Sequence, residues 1–183
     1  MGLLHQLFDL LVILTDEEYT RKPVGVVESS IGGHVRHNLD HIQALLRGLP
    51  MRRVCYDHRD RGTNVEADRT AALDAILRVE RELRDFSWPL VPGAIQLSAL
   101  VAQDAPPVLV PTTAERELAF VISHTIHHNA LIRVMVKLLG IGVPAGDFGY
   151  APSTISHLEV PKRVHANCSS TAIRRCPNRI QSG

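Results

Sequence analysis

The stretch from Thr113 to Leu139 constrains the fold most. Its apolar residues fall on most sides of a helix. Thr112 just before it and Glu115 in its first turn have capping-box spacing, and "GIGVPAG" stops it. A helix of that length, apolar nearly all round, has to be enclosed by others. It is therefore expected to be the most buried helix of the chain.

Three shorter segments supply partners for it. Leu3, Leu7, Leu10, Leu11 and Leu14 recur at helical spacing and predict a first helix over about 3–19, broken by "RKPVGV". A second is predicted from Glu28 or Ser29 to Leu49, capped by Ser29 or Ser30 and ended by "GLP". Gly32 and Gly33 in its first turn are poor helix formers and imply close approach by another backbone or by a ligand. A third is expected to start near "TNVE", where Thr63 and Glu66 have capping-box spacing, and to end at "SWPLVPG". Between the third and the Thr113 helix, Ile95, Leu97, Ala99 and Val101 alternate, "QDAPP" reads as a turn, and "VLV" follows; this predicts a small β-hairpin. Four helices with short connections predict a mainly all-α chain, a four-helix bundle.

The helical domain is expected over 1–158. From 159 to 183 the periodicity fades and Lys162, Arg163, Arg174, Arg175 and Arg179 collect around Pro161 and Pro177. That composition predicts a basic, solvated or loosely docked tail, with a grip on an anionic partner as the lesser reading. A net charge of +1 gives no broad nucleic-acid surface. "MGLLHQLFDLLVIL" lacks the basic start of a signal peptide, and no run reaches membrane-span length. Cys55, Cys168 and Cys176 are an odd number with no CxxC pair, so reduced thiols and a cytoplasmic location are expected.

Six of the ten histidines sit in two short stretches. In "ISHTIHHNAL", His124 and His128 are four apart and share a helix face, with His127 on its flank. In "GGHVRHNLDH", His34, His37 and His41 form one stripe along the second helix. If the stripes face each other, one imidazole from the second helix and two from the last give three ligands and leave positions open, the pattern of a catalytic metal site. Thr125 stands where a zincin has glutamate, which disfavours that protease class. The alternative is plain packing, with each histidine a hydrogen-bonded core residue in a non-catalytic bundle that binds metal for structure or sensing, or in an interaction protein with no metal.

"GGHVRHNLDH" followed far downstream by "SHTIHHNALI" resembles the DinB-like superfamily of four-helix proteins. That superfamily includes YfiT-like metal-dependent hydrolases, bacillithiol and mycothiol transferases, and the N-terminal domain of the ergothioneine-pathway sulfoxide synthase. The resemblance covers about 1–158 and includes "FGYAPSTISHLE". It implies a metal site of His37, which has Asp40 after it in the H-x-x-D pattern, with His124 and His128; His34 is the competing second-helix ligand. It further implies a homodimer, for which the first helix is a candidate surface.

Around these ligands, Asp40, His41 and His127 are the titratable candidates for outer positions. Asp40 either orients an imidazole or forms a surface salt bridge. Arg36 and Asn129 are read as helix-surface residues with a lesser prospect of touching substrate. The loop "YDHRDRGTNVE" is read as solvated, or else as offering Tyr56, Arg59 and Arg61 to a pocket mouth or dimer contact. The cofactor expected is a divalent ion: zinc, nickel, iron or manganese. An ion with three neutral imidazoles keeps its full charge, and can lower the pKa of bound water to about 7 or hold a thiol as thiolate. The expected activity is hydrolysis or thiol-dependent S-transfer on a small-molecule substrate, with a low-molecular-weight thiol as possible second cofactor.

Overall fold

The computed structural model describes residues 2–25, 27–57, 63–88, 93–142 and 147–159. The basic tail from 160, Cys168 and Cys176, and the loop residues Arg59 and Arg61 lie outside the described residues. The chain is mostly helical with one small three-stranded sheet. Its order is α1 (Leu3–Ile13), α2 (Asp16–Thr20), α3 (Ile31–Gly48), β1 (Arg53–Cys55), a 3-10 turn (Asn64–Glu66), α4 (Arg69–Asp85), β2 (Ile95–Ala99), β3 (Val108–Thr112), α5 (Ala114–Leu138) and α6 (Pro152–Glu159). No described helix is long and apolar enough to cross a membrane.

The first helix is two, not one. Thr15 N-caps α2, and its backbone N–H and hydroxyl both donate to Glu18 at 2.8 and 2.9 Å while Glu18 N–H donates back to Thr15 Oγ1. That reciprocal box satisfies donors a continuous helix would have used otherwise, and it overrides the leucine period across Leu14. Leu4, Leu7, Leu10 and Leu11 still line the core from α1.

The third predicted helix begins later than expected. Thr63 makes no side-chain cap, and Asp68 caps α4 instead, accepting from the N–H groups of Thr70 and Ala71 at 2.8 and 3.0 Å. Glu66 is drawn away by Arg36, with which it forms an ion pair. Likewise α5 is capped by Thr113, not Thr112; Thr113 Oγ1 accepts from Arg116 N–H, while the Thr112 hydroxyl donates to Glu117.

The expected burial order is also reversed. α3 is buried along most of its length, from Ile31 to Gly48. α5 buries one face through Val121, Ile132, Met135 and Val136, but leaves Ile122, Val134 and Leu138 exposed. α3 packs against both α4 and α5, and α1 packs on those same two helices.

Gly32 answers the question its position raised: the neighbour is protein. A Cβ there would run into the Glu66 carbonyl oxygen and the Tyr19 ring. Tyr19 is fully buried and its hydroxyl donates to the Val65 carbonyl at 2.6 Å, so α2, the 3-10 turn and α3 lock at this point.

β2 and β3 run antiparallel, with Ile95 opposite Thr112 and Ala99 opposite Val108. A third strand, β1, lies parallel to β2 with Val54 opposite Leu97. Its three residues are too few for alternation to register in the sequence. β1 carries the chain from α3 to Tyr56.

Candidate metal centre

α3 and α5 pack side by side and turn their histidine faces toward one another. The same packing buries Val35, Leu39, Ile42 and Leu45 on the adjoining face of α3. The imidazoles therefore line a seam at the edge of the core. His41 is buried, His34, His37, His124 and His128 are half-buried, and His127 is exposed.

Two nitrogen pairs meet across the seam. His37 Nε2 and His124 Nε2 are 3.0 Å apart, and His34 Nδ1 and His128 Nδ1 are 2.8 Å apart. His41 stacks on His124 with ring centroids 4.1 Å apart and lies 4.3 Å from the His37 ring. Ligand atoms of His37, His41 and His124 all lie within 4.8 Å of one another. The His128 ring is 4.5 Å from those of both His37 and His124, but its Nδ1 is turned to His34. His127 meets the edge of His128 at 5.2 Å and stays on the flank.

The donor set suits a divalent ion. Two nitrogens each about 2.1 Å from one ion sit about 3.0–3.4 Å apart for angles near 90–109°, and the His37–His124 separation has that spacing. His41 is also prepared for the role. Its Nδ1 lies 3.0 Å from the His37 carbonyl, which only accepts, so Nδ1 carries a proton and Nε2 is the nitrogen that would face an ion. His128 is pushed down to about 3, chiefly by burial and then by the neighbouring His124, His34, His127 and His41. Burial, with His127, lowers His34 in the same direction. Both rings are therefore neutral near pH 7, the form that ligates metal.

One supporting group was not foreseen. Glu117, fully buried, accepts from the Tyr56 hydroxyl at 2.9 Å, the Thr112 hydroxyl at 2.7 Å and Arg116 Nη1 at 2.9 Å. The Tyr56 ring, so anchored, lies parallel to His41 at 5.3 Å, and Phe120 packs 5.1 Å from Tyr56 and 5.6 Å from His124. Burial and the Glu117 carboxylate both push the Tyr56 phenol up, so it stays a donor. A glutamate in the first turn of α5 reads as surface in the sequence; its only signal was the tyrosine and threonine that close on it from elsewhere.

Arg36 pairs with Glu66 and lies 3.9 Å from Asp40. Asn129 is not a surface residue: it is fully buried, accepts from Asn38 Nδ2 at 3.2 Å and donates to the Leu3 carbonyl. The 147–150 turn packs on α5, where Arg133 donates to the Phe148 carbonyl at 2.7 Å and lies over the Tyr150 ring. A cavity of about 640 Å³ lies between α1, α3, α4 and α5, lined by Leu3, Leu4, Ile42, Leu118 and Val121 among others. None of the cluster histidines lines it, so the candidate ligands all stand at the seam.

The chain is similar to FK506-binding protein 5 of Rhizopus delemar, with 35% identity over 105 residues, 57% of this chain and 27% of that protein. It thus spans about a quarter of the length of this curated relative. No solved structure matches it. The model of the DinB superfamily matches residues 3–132, which hold all six histidines of the seam, and the chain belongs to that superfamily.

Proposed function

We propose that this protein is a metal-dependent enzyme whose divalent ion sits on the α3–α5 seam. His37 and His124 form the constant pair. His41 is the third ligand by geometry, and His128 is the third ligand the family resemblance implies. The observation that carries the reading is the convergence of His37, His41 and His124 ligand atoms to within 4.8 Å. Zinc, nickel, iron(II) and manganese all accept imidazole, and the donor set selects none of them.

Bound there, the ion supplies Lewis acidity, which serves either hydrolysis or transfer of a thiol to an electrophile. The chain's own groups do the rest. The His37 carbonyl holds the His41 tautomer, and Glu117 holds Tyr56 flat against His41. His37 and His124 are half-buried, and in this reading a small substrate approaches along their exposed edge. Within this proposal, α1, α3, α4 and α5 form the family's four-helix bundle and β2–β3 its hairpin. Val12 and Ile13, exposed on α1, are offered to a homodimer contact, and the location is cytoplasmic.

The rival is a non-catalytic bundle, favoured by the fact that both close nitrogen pairs are also hydrogen-bond distances. Metal analysis of tag-free protein separates the two. The proposal expects at least one equivalent of zinc or nickel and a raised melting temperature, followed by metal-dependent thiol consumption with an electrophilic test substrate. Less than one equivalent, with no thermal shift on adding either ion, sinks it.

A further inference from the structure

The cavity between α1, α3, α4 and α5 is walled by the bundle's own core. Leu4, Ile42, Leu45 and Val121, each at most 7% exposed, line it and belong to the hydrophobic core. Close-packed interiors seldom keep a void larger than a water molecule. This one holds about 640 Å³, the size of a small-molecule site. We propose that it binds an amphiphile with a single carboxylate head and an apolar chain or ring body. The proposal stands whether or not the histidine seam holds an ion. Ile42 directly follows His41 and Thr125 directly follows His124, so the two sites use the same helices but share no residue.

The walls fit an apolar body. Apart from Thr125, the residues lining the cavity from α3 and α5 are aliphatic, and the Thr125 hydroxyl already donates to the Val121 carbonyl at 2.8 Å. The rim fits one negative charge. Arg84, exposed in the last turn of α4, has no hydrogen bond or ion pair among the described residues. A guanidinium in that state can hold a carboxylate through two N–H groups. The start of α1 lies on the same rim. Gly2 gives it no side-chain cap and its first turn holds no acid, so the N–H groups there favour an anion as well. His5 stands 3.8 Å from Asp9 and is left out of the head-group site. Glu80, one turn before Arg84, is the opposing charge and makes no ion pair with it among the described residues. It disfavours a second negative charge, so a lone carboxylate on the Arg84 side is the head group that matches the rim.

The test uses the full, tag-free chain stripped of metal by a chelator, so that a carboxylate cannot report the seam. Decanoate, decanol and decyltrimethylammonium are titrated by calorimetry below their micelle thresholds. The expected result is one decanoate per chain, bound at least about tenfold more tightly than either of the others. Arg84→Glu should weaken decanoate at least about tenfold and leave decanol unchanged. Leu118→Trp and Ile122→Trp put an indole into the cavity, and whichever of them melts like the wild type should bind none of the three. No decanoate bound by the wild type, or a preference for the ammonium head or for no head at all, overturns the proposal. So does decanoate affinity unchanged in Arg84→Glu, or binding that survives in a folded tryptophan variant. A fall in wild-type mass by light scattering on adding decanoate would place a second copy of the chain in the cavity, and overturns it too.

Discussion

His37 Nε2 and His124 Nε2 lie 3.0 Å apart although 87 positions separate them in the chain. Neither residue's local sequence requires the other; the contact exists because α3 and α5 bury neighbouring faces against the same core. Replacing either ring should therefore disable the site without dissolving the fold. His37→Ala and His124→Ala are expected to weaken zinc binding at least about a hundredfold, while apo far-ultraviolet circular dichroism stays that of the wild type. Chelator competition measures the first and thermal melts the second. Unchanged zinc affinity in both variants would remove this pair from any metal site.

Acid should loosen the protein through the seam. His128 is held down to about 3, mainly by burial, against an ordinary value of 6.5. The unfolded chain thus binds a proton there that the native chain refuses between those two values. Stability therefore rises with pH across that window and falls as pH drops below about 6.5. In apo protein, the melting temperature should decline from pH 6.5 to pH 4.5, and less steeply in His128→Gln. Parallel curves for the two proteins would show that His128 is not a source of the slope.

Glu117 should matter for stability well beyond an ordinary helix-surface glutamate. Glu117→Ala removes the buried acceptor of the half-buried Tyr56 and Thr112 hydroxyls and is expected to cost about 2 kcal/mol by urea unfolding. Tyr56→Phe keeps the ring on His41 and loses one bond to the carboxylate, for about 1–2 kcal/mol. If Glu117→Ala unfolds at the wild-type urea midpoint, the three-donor cradle has no energetic role.

Gly32→Ala places a methyl group where the Glu66 carbonyl and Tyr19 ring already stand. Backbone on one side and a buried aromatic on the other give little room to shift. A loss of about 1–3 kcal/mol is expected, against the usual gain from alanine in a helix. A stabilised variant, measured by thermal melt, would mean that the 3-10 turn does not press on α3.

How much was readable in advance depends on the range of the interaction. Caps and periods act over four residues or fewer, and they marked α5 to within one residue and α3 to within two or three. Even so, two local signals competed within one segment. The Thr15–Glu18 box was present in "TDEE", and it outweighed the leucine repeat because it satisfies backbone donors directly. β1 was invisible: three residues do not make a pattern, and a parallel partner 43 residues away supplies its hydrogen bonds.

From the sequence by itself came a mainly helical chain with two histidine stripes, because helix pitch alone puts residues three, four and seven apart on one face. Only the tertiary structure decided which imidazoles meet. It set His41 against His37 and His124, paired His34 with His128, and sank Glu117 beneath Tyr56. Those choices depend on the rotation and register of α3 against α5. Distant contacts set that register: the shared apolar core, Gly32 under Glu66 and Tyr19, and the 147–150 turn on α5. No stretch of chain short enough to read as a motif contains them.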